Sequence, residues 1–116
     1  MKQQQRRSDC PMSCWLEIFG DKWTLIILRD MMVFGKRNYK DFINSNEKIA
    51  TNILASRLRL LVENGIITKT KDTKNRLIIN YEPTQKAYDL KPIFSEVMNW
   101  SNVHVKETLS FPELLE

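Results

Sequence analysis

At 116 residues, 42% hydrophobic and 28% charged, the chain has the size and composition of one globular domain with one core. No run approaches the about 18 apolar residues of a membrane-spanning helix. The start, Met1-Lys2-Gln3-Gln4-Gln5-Arg6-Arg7, leads into Ser8-Asp9-Cys10-Pro11 rather than an apolar signal core, so a cytoplasmic protein with no membrane association is expected. The net charge of +4 is unevenly spread. Residues 1–81 hold 15 Lys/Arg against 8 Asp/Glu, and residues 82–116 hold 3 against 6. A cation surplus in the first two-thirds favours a polyanionic partner there.

Three glycines and four prolines punctuate the chain, with no repeat, low-complexity tract or linker. Residues 1–9 read as a flexible basic arm and 10–116 as a single domain. Met12 to Phe19 is a short helix, with Pro11 suited to its first turn and Gly20 to its stop. A second helix starts near Asp21, whose carboxylate is placed to cap free N–H groups, and Gly35 ends it. Trp23, Leu25, Ile26, Ile27, Leu28, Met31, Met32 and Phe34 make it apolar almost all round, which predicts a buried central helix. Lys36-Arg37-Asn38 is a connector or short strand. Tyr39 to Ile43 is a small third helix, and Asn44-Ser45-Asn46 is turn chemistry.

The most informative unit comes next. A fourth helix over 50–64 carries Leu54, Leu58, Leu61 and Val62 on one side and stops at Asn64-Gly65. Ile66 to Thr70 and Leu77 to Tyr81 are rich in strand formers and flank a cationic tip with Lys69, Lys71, Lys74 and Arg76 against a single Asp72. A helix feeding a basic hairpin is the layout of a winged helix-turn-helix, mainly α with a small β-hairpin wing, which lays a helix in a DNA groove and a charged loop beside it. Gln85 to Val105 then reads as a long helix that Pro92 must kink or split, and Leu109 to Leu115 as a last turn.

Cys10-Pro11, Gly20-Asp21-Lys22-Trp23-Thr24-Leu25-Ile26-Ile27-Leu28-Arg29-Asp30, Arg37-Asn38-Tyr39-Lys40-Asp41-Phe42, Leu54 with Arg57-Leu58-Arg59, and Asn64-Gly65-Ile66-Ile67 stand in order along residues 10 to 103. In that order and spacing the chain resembles the HxlR-type (MarR-like) winged helix-turn-helix transcriptional regulators of bacteria. The resemblance implies a homodimer joined through its terminal helices, facing double-stranded DNA with a pseudo-palindromic operator, with a small-molecule or electrophile inducer among the possible signals; some members respond to electrophiles or oxidants through the cysteine that matches Cys10. The family often has Ser or Thr where this chain has Ala50, so the start of the fourth helix is expected to shift toward Thr51. Leu60 and Val62 stand where acidic residues are frequent, and are expected to add packing surface.

The expected DNA contacts are Thr51, Asn52, Ala55, Ser56 and Arg59 on the exposed side of the fourth helix. Lys71, Lys74, Asn75 and Arg76 are expected on the wing, spanning 68–78, against phosphates or the minor groove. Lys22, Arg37, Asn38 and Lys40 are expected to position the duplex backbone. The plain alternative for each is a solvated face, and Arg57 reads either as a phosphate contact or as the partner of an acid within the fold. Trp15, Leu16, Phe19, Phe94, Val97, Met98 and Trp100 are the expected dimer interface. Met12, Met31, Met32 and Met98 read as void fillers or as an adaptable pocket near it.

Cys10 and Cys14 with the single, distant His104 make a poor metal set, and no metal or cofactor is expected. Their i, i+4 spacing disfavours a mutual disulfide. Two reduced thiols are the plainest reading, and a redox or electrophile-sensing Cys10 near Arg6 and Arg7 is the other. No nucleophile–base pair, phosphate loop or paired-carboxylate pattern points to an enzyme. A dimeric repressor is therefore the leading expectation, with a protein-interaction winged helix module as the alternative.

Overall fold

The computed structural model describes residues 6–109; the expected last turn past Leu109, and residues 1–5 of the expected arm, lie outside them. The order of elements is α1 (Pro11–Phe19), α2 (Thr24–Phe34), α3 (Tyr39–Ile43), α4 (Thr51–Glu63), β1 (Ile67–Lys71), β2 (Ile79–Pro83), α5 (Gln85–Tyr88) and α6 (Lys91–His104). The expected mainly α fold with a hairpin wing is the one the chain forms. The core gathers Ile27, Leu28 and Met31 from α2, Phe42 from α3, Leu54, Leu58 and Leu61 from α4, Ile67 and Tyr81 from the hairpin, Ala87 from α5, and Leu90 from the junction between α5 and α6. α4 presents leucines at i, i+4 and i+7, so one stripe of a 3.6-residue helix faces α2 and α3.

The residue after α1 must be glycine for a steric reason. A β-carbon there would lie 2.5 Å from the Leu16 carbonyl oxygen. The second helix begins at Thr24, three residues later than Asp21, because Asp21 acts as the cap: its carboxylate accepts from the N–H groups of Trp23 (2.9 Å) and Thr24 (3.0 Å). Trp23 thus precedes α2. Burial is one-sided, covering Thr24, Ile27, Leu28, Asp30 and Met31 while Phe34 is exposed. Ile43 is likewise exposed. Met31 is wholly buried and Met12 lies in solvent, so these methionines do not share one environment.

The end of α4 fixes the start of the wing. Gly65 takes φ 70°, its N–H donates to the Val62 carbonyl (3.0 Å), and the Ile66 N–H donates to the Leu61 carbonyl (3.0 Å). This double closure is a Schellman cap, which needs a left-handed residue at the glycine position. It uses the Ile66 N–H, so β1 starts at Ile67 rather than Ile66. β1 and β2 pair antiparallel from Ile67 opposite Pro83 to Lys71 opposite Ile79. β2 starts two residues later than Leu77 because the Ile78 N–H is turned into the tip, onto the Asn75 carbonyl (3.0 Å). Pro83, lacking an N–H, sits at the last ladder position, where its missing donor matters least.

Lys36-Arg37-Asn38 is a connector, not a strand, although the Arg37 carbonyl accepts from the Tyr81 N–H at 2.7 Å. Pro92 does split the expected long helix: α5 ends at Tyr88, and α6 restarts with Pro92 in its first turn, where a missing N–H is tolerated. No residue of α6 is buried.

Replacing Leu58, at 1% exposure, with Ala should lower the unfolding free energy by about 2–5 kcal/mol. Replacing its exposed neighbour Arg59 with Ala should change it by no more than about 0.5 kcal/mol. Urea unfolding followed by circular dichroism measures both.

Candidate nucleic-acid interface

The site is built on the α3–turn–α4 segment and the hairpin after it. α3 is capped by Asn38, whose Oδ1 accepts from the Asp41 N–H at 3.1 Å. The turn between the helices passes through Ser45, which is buried, and Lys48, which takes φ 57°. It is held from below by Arg29 on α2. The Arg29 guanidinium reaches both oxygens of Glu47 at 2.7 and 2.8 Å and Asp30 Oδ1 at 2.6 and 3.0 Å. Asp30 is only 2% exposed, and Lys36 Nζ approaches its second oxygen at 3.4 Å. These bonds raise the Arg29 pKa, first through Glu47, and Arg29 in turn holds the Glu47 carboxyl below its usual value. Arg29 and Glu47 were not among the expected site residues. A charged pair, Arg29-Asp30, inside an otherwise apolar helix was the available signal.

α4 starts at Thr51, as Ala50 predicted. Ala50 is extended (φ −72°, ψ 146°) and offers no side-chain cap, so the first turn of the helix is closed at its start only by the Leu54 N–H bond to the Ala50 carbonyl (2.9 Å). Thr51, Asn52 and Arg59 are exposed; Ala55 and Ser56 are half-buried, and the Ser56 hydroxyl accepts from Arg57 at 2.9 Å. Arg57 also approaches Asp21 at 3.6 Å, so of its two readings the acid within the fold is the one observed. Burial raises the Asp21 carboxyl, but the Thr24 hydroxyl, the N–H groups of Trp23 and Thr24 and the Arg57 charge outweigh it and leave the pKa below its ordinary value.

The wing is fastened to the end of α4. Thr84, just past β2, gives its hydroxyl to the carbonyls of Gly65 (2.7 Å) and Ile66 (2.8 Å), and Lys86 Nζ reaches the Asn64 carbonyl (3.1 Å). Lys86 thereby places a cation at the negative end of the helix dipole. At the tip, Asp72 turns its charge inward. Its carboxylate accepts from the N–H groups of Lys74 and Asn75 and from the Asn80 amide, each at 3.0 Å. The Asn75 N–H, then Asn80 and the Lys74 N–H, hold its pKa down. Lys71, Lys74, Asn75 and Arg76 are all exposed.

Two sets of cations can thus be told apart. Arg29, Lys36, Arg37 and Arg57 are paired within the fold. Arg37 was expected on the duplex backbone, yet it donates to the carbonyls of Met31 (2.7 Å) and Lys36 (2.9 Å) and to Glu82 (3.1 Å). Asn38 is engaged as a cap. By contrast Lys22, Lys40, Arg59, Lys71, Lys74 and Arg76 are exposed and form no ion pair with another described residue.

Of the expected interface aromatics, Phe19 is buried within its own chain and stacks on Trp15 at 4.6 Å between centroids. Phe94 and Met98 are half-buried; Leu16, Val97 and Trp100 are exposed. Cys10 and Cys14 are free thiols. Cys10 is exposed at the mouth of α1, where the N–H groups of Ser13 and then Met12 lower its pKa. Arg6 and Arg7 are drawn to Asp9 (3.5 Å) and Glu17 (3.3 Å).

The model of HxlR-like helix-turn-helix proteins matches residues 18–109. The chain belongs to the HxlR-like helix-turn-helix family. An uncharacterised HTH-type transcriptional regulator of Mycobacterium tuberculosis is 32% identical over 90 residues, covering 78% of this chain and 56% of its own length. The chain therefore spans about half the length of that relative. The crystal structure of PA1607 superposes with a TM-score of 0.79 at 29% identity, over 89% of this chain and 72% of that one. The redox regulator HypR in its oxidised form superposes with a TM-score of 0.70 at 25% identity, over 82% of this chain and 97% of its own. HxlR-like proteins of this kind are transcriptional regulators, a DNA-binding class and not an enzyme class. No described helix is long and apolar enough to cross a membrane.

Replacing Arg29 with Met leaves Asp30 buried without its main partner, and should cost about 3 kcal/mol in chemical denaturation. Glu47→Gln should cost under about 1 kcal/mol at neutral pH, because that carboxylate is partly in water. The folded pKa values of Glu47 and Asp21 are depressed, so their stabilisation is complete above about pH 4.5 and lost as pH falls through the folded values. Denaturation midpoints measured from pH 7 to pH 2 should therefore fall less steeply for Glu47→Gln than for the wild type.

Proposed function

We propose that this HxlR-like chain is a homodimeric, sequence-specific repressor of the cytoplasm, which binds a pseudo-palindromic operator and blocks transcription by occupying it. Residues 10–116 would act as one winged helix domain. α4 would enter the major groove with Thr51, Asn52 and Arg59 toward the bases and Ala55 and Ser56 in van der Waals reach. The wing would lie on the phosphates or minor groove through Lys71, Lys74, Asn75 and Arg76. Lys22 and Lys40 would hold the duplex backbone. Two copies would join through α1 and α6, with Leu16, Val97, Met98 and Trp100 covered at the interface.

The observation that carries this reading is the division of the cations. Arg29, Lys36, Arg37 and Arg57 are paired internally, whereas Arg59 on α4 and Lys71, Lys74 and Arg76 of the wing stand in solvent and form no ion pair with a described residue. Exposed, unpaired cations are what counterion release from a duplex requires. Fluorescence anisotropy on genomic duplexes, including the region upstream of its own gene, tests the reading. Asn52→Ala and Thr51→Ala should relax sequence preference, by about 1–3 kcal/mol where a bidentate base contact is lost. Lys74→Ala and Arg76→Ala should weaken binding to all sequences alike and flatten the salt dependence by about one ion each. Binding with neither site preference nor salt dependence would overturn the proposal.

Regulation through Cys10 is the second part of the proposal. An exposed thiol with a lowered pKa at a helix start favours the reactive thiolate, and the similarity to HypR, which is named a redox regulator, agrees with it. After diamide treatment, a non-reducing gel should show a covalent dimer that Cys10→Ser abolishes, with a parallel change in DNA affinity. Unchanged migration and affinity would remove this part alone.

A further inference from the structure

The tip of the wing carries a residue that electrostatics does not explain. Leu77 is 92% exposed, the most exposed large apolar side chain among the described residues. Hairpin tips favour Gly, Asn, Asp and Ser, because their side chains bond the turning backbone. A leucine in that place leaves in water nearly all the surface whose burial would stabilise the fold.

Leu77 is not exposed because its backbone is loose. Its N–H donates to Asn75 Oδ1 at 3.1 Å, and the Ile78 N–H donates to the Asn75 carbonyl at 3.0 Å. The Asp72 N–H closes the loop on the Ile78 carbonyl at 2.8 Å, while the Asp72 carboxylate holds the Lys74 and Asn75 N–H groups. The turn is thus a hydrogen-bonded platform that projects Leu77 almost wholly into solvent, with Ile78 beside it 37% exposed and the exposed cations Lys74 and Arg76 close by in sequence.

We infer that Leu77 is a wedge, which the wing inserts from the minor groove between two stacked base pairs so as to unstack and bend the operator. The inference rests on the DNA-binding reading above and assigns the wing a task beyond phosphate contact. The flanking charges identify the occupant: Lys74 and Arg76 draw the tip to a surface of dense negative charge, where the narrow minor groove attracts cations most strongly. An apolar side chain brought there with them has one favourable destination, the space between bases. Side chains of this type partly unstack a step and kink the duplex toward the major groove. The step chosen should be a flexible pyrimidine–purine step, where unstacking costs least.

The test uses duplexes that the protein recovers from a random-sequence pool, with 2-aminopurine substituted one position at a time and a donor–acceptor pair on the ends. With wild-type protein, fluorescence should rise severalfold at one step flanking the half-site, and the end-to-end distance should shorten. Leu77→Ala should abolish both signals and weaken binding roughly tenfold, part of the value of burying a leucine. Leu77→Met should keep them. Leu77→Lys should bind at least as well as Leu77→Ala but without the fluorescence rise, since it adds charge and removes the wedge. Leu77 makes no core contact, so circular dichroism should show all three variants folded. Equal fluorescence, bend and affinity for wild type and Leu77→Ala would overturn the wedge and leave the DNA reading standing. A wild-type protein that recovers no preferred duplex would overturn the DNA reading itself.

Discussion

A carboxylate shut away from water organises this molecule. Asp30 sits within α2 at 2% exposure, where an unpaired charge would be very costly. It is met by Arg29 at 2.6 Å and by Lys36 at 3.4 Å. Arg29, once committed there, presents its remaining N–H groups to Glu47, in the turn that precedes α4. The orientation of the helix that carries Thr51 and Asn52 is thereby linked to a charge buried within α2. Apolar packing through Leu54, Leu58 and Leu61 supplies the adhesion, but packing alone tolerates small slips, and a bidentate ion pair is directional.

A second set of bonds does for the wing what Arg29 does for the turn. The Schellman cap at Gly65, the Thr84 hydroxyl and the Lys86 ammonium tie the base of the hairpin to the last turn of α4. The helix and the hairpin are therefore one mechanical piece, held at both ends of α4. The acids Asp30 in the core and Asp72 in the wing satisfy backbone and scaffold donors, and Arg59, Lys71, Lys74 and Arg76 form no ion pair with a described residue.

Much of this was legible in the sequence. The stripe of leucines in α4, the Asn64-Gly65 stop, the five residues of α3 and the two β-rich runs around a basic tip sufficed for the winged helix-turn-helix. Boundaries slipped where a backbone donor was spent on something that spacing does not reveal. Ile66 bonds back into the helix and Ile78 into the tip, so both strands start late. Asp21 caps as expected, but from three residues before the first helical residue, so α2 starts at Thr24. Among site residues, the exposure of Thr51, Asn52, Arg59 and the wing lysines is set by helical phase and turn position. The fate of Arg37 and Arg57 is not, because a guanidinium finds its partners across the fold, at Glu82 and Asp21, and no local pattern encodes that distance. Glu47 escaped notice for the same reason, with its partner 18 positions earlier in the chain.

α6 has a consequence of another kind. It is 14 residues long, and not one of them is buried, with Val97, Trp100 and Val103 in open solvent. Helices of that length are marginal in water unless one face is covered. With a second copy as the cover, part of the folding free energy becomes an association free energy and obeys mass action. Dilution would then loosen α6 first, and the unfolding midpoint would climb with protein concentration. Cellular abundance would set how much of the chain is ordered as well as how many operators are filled.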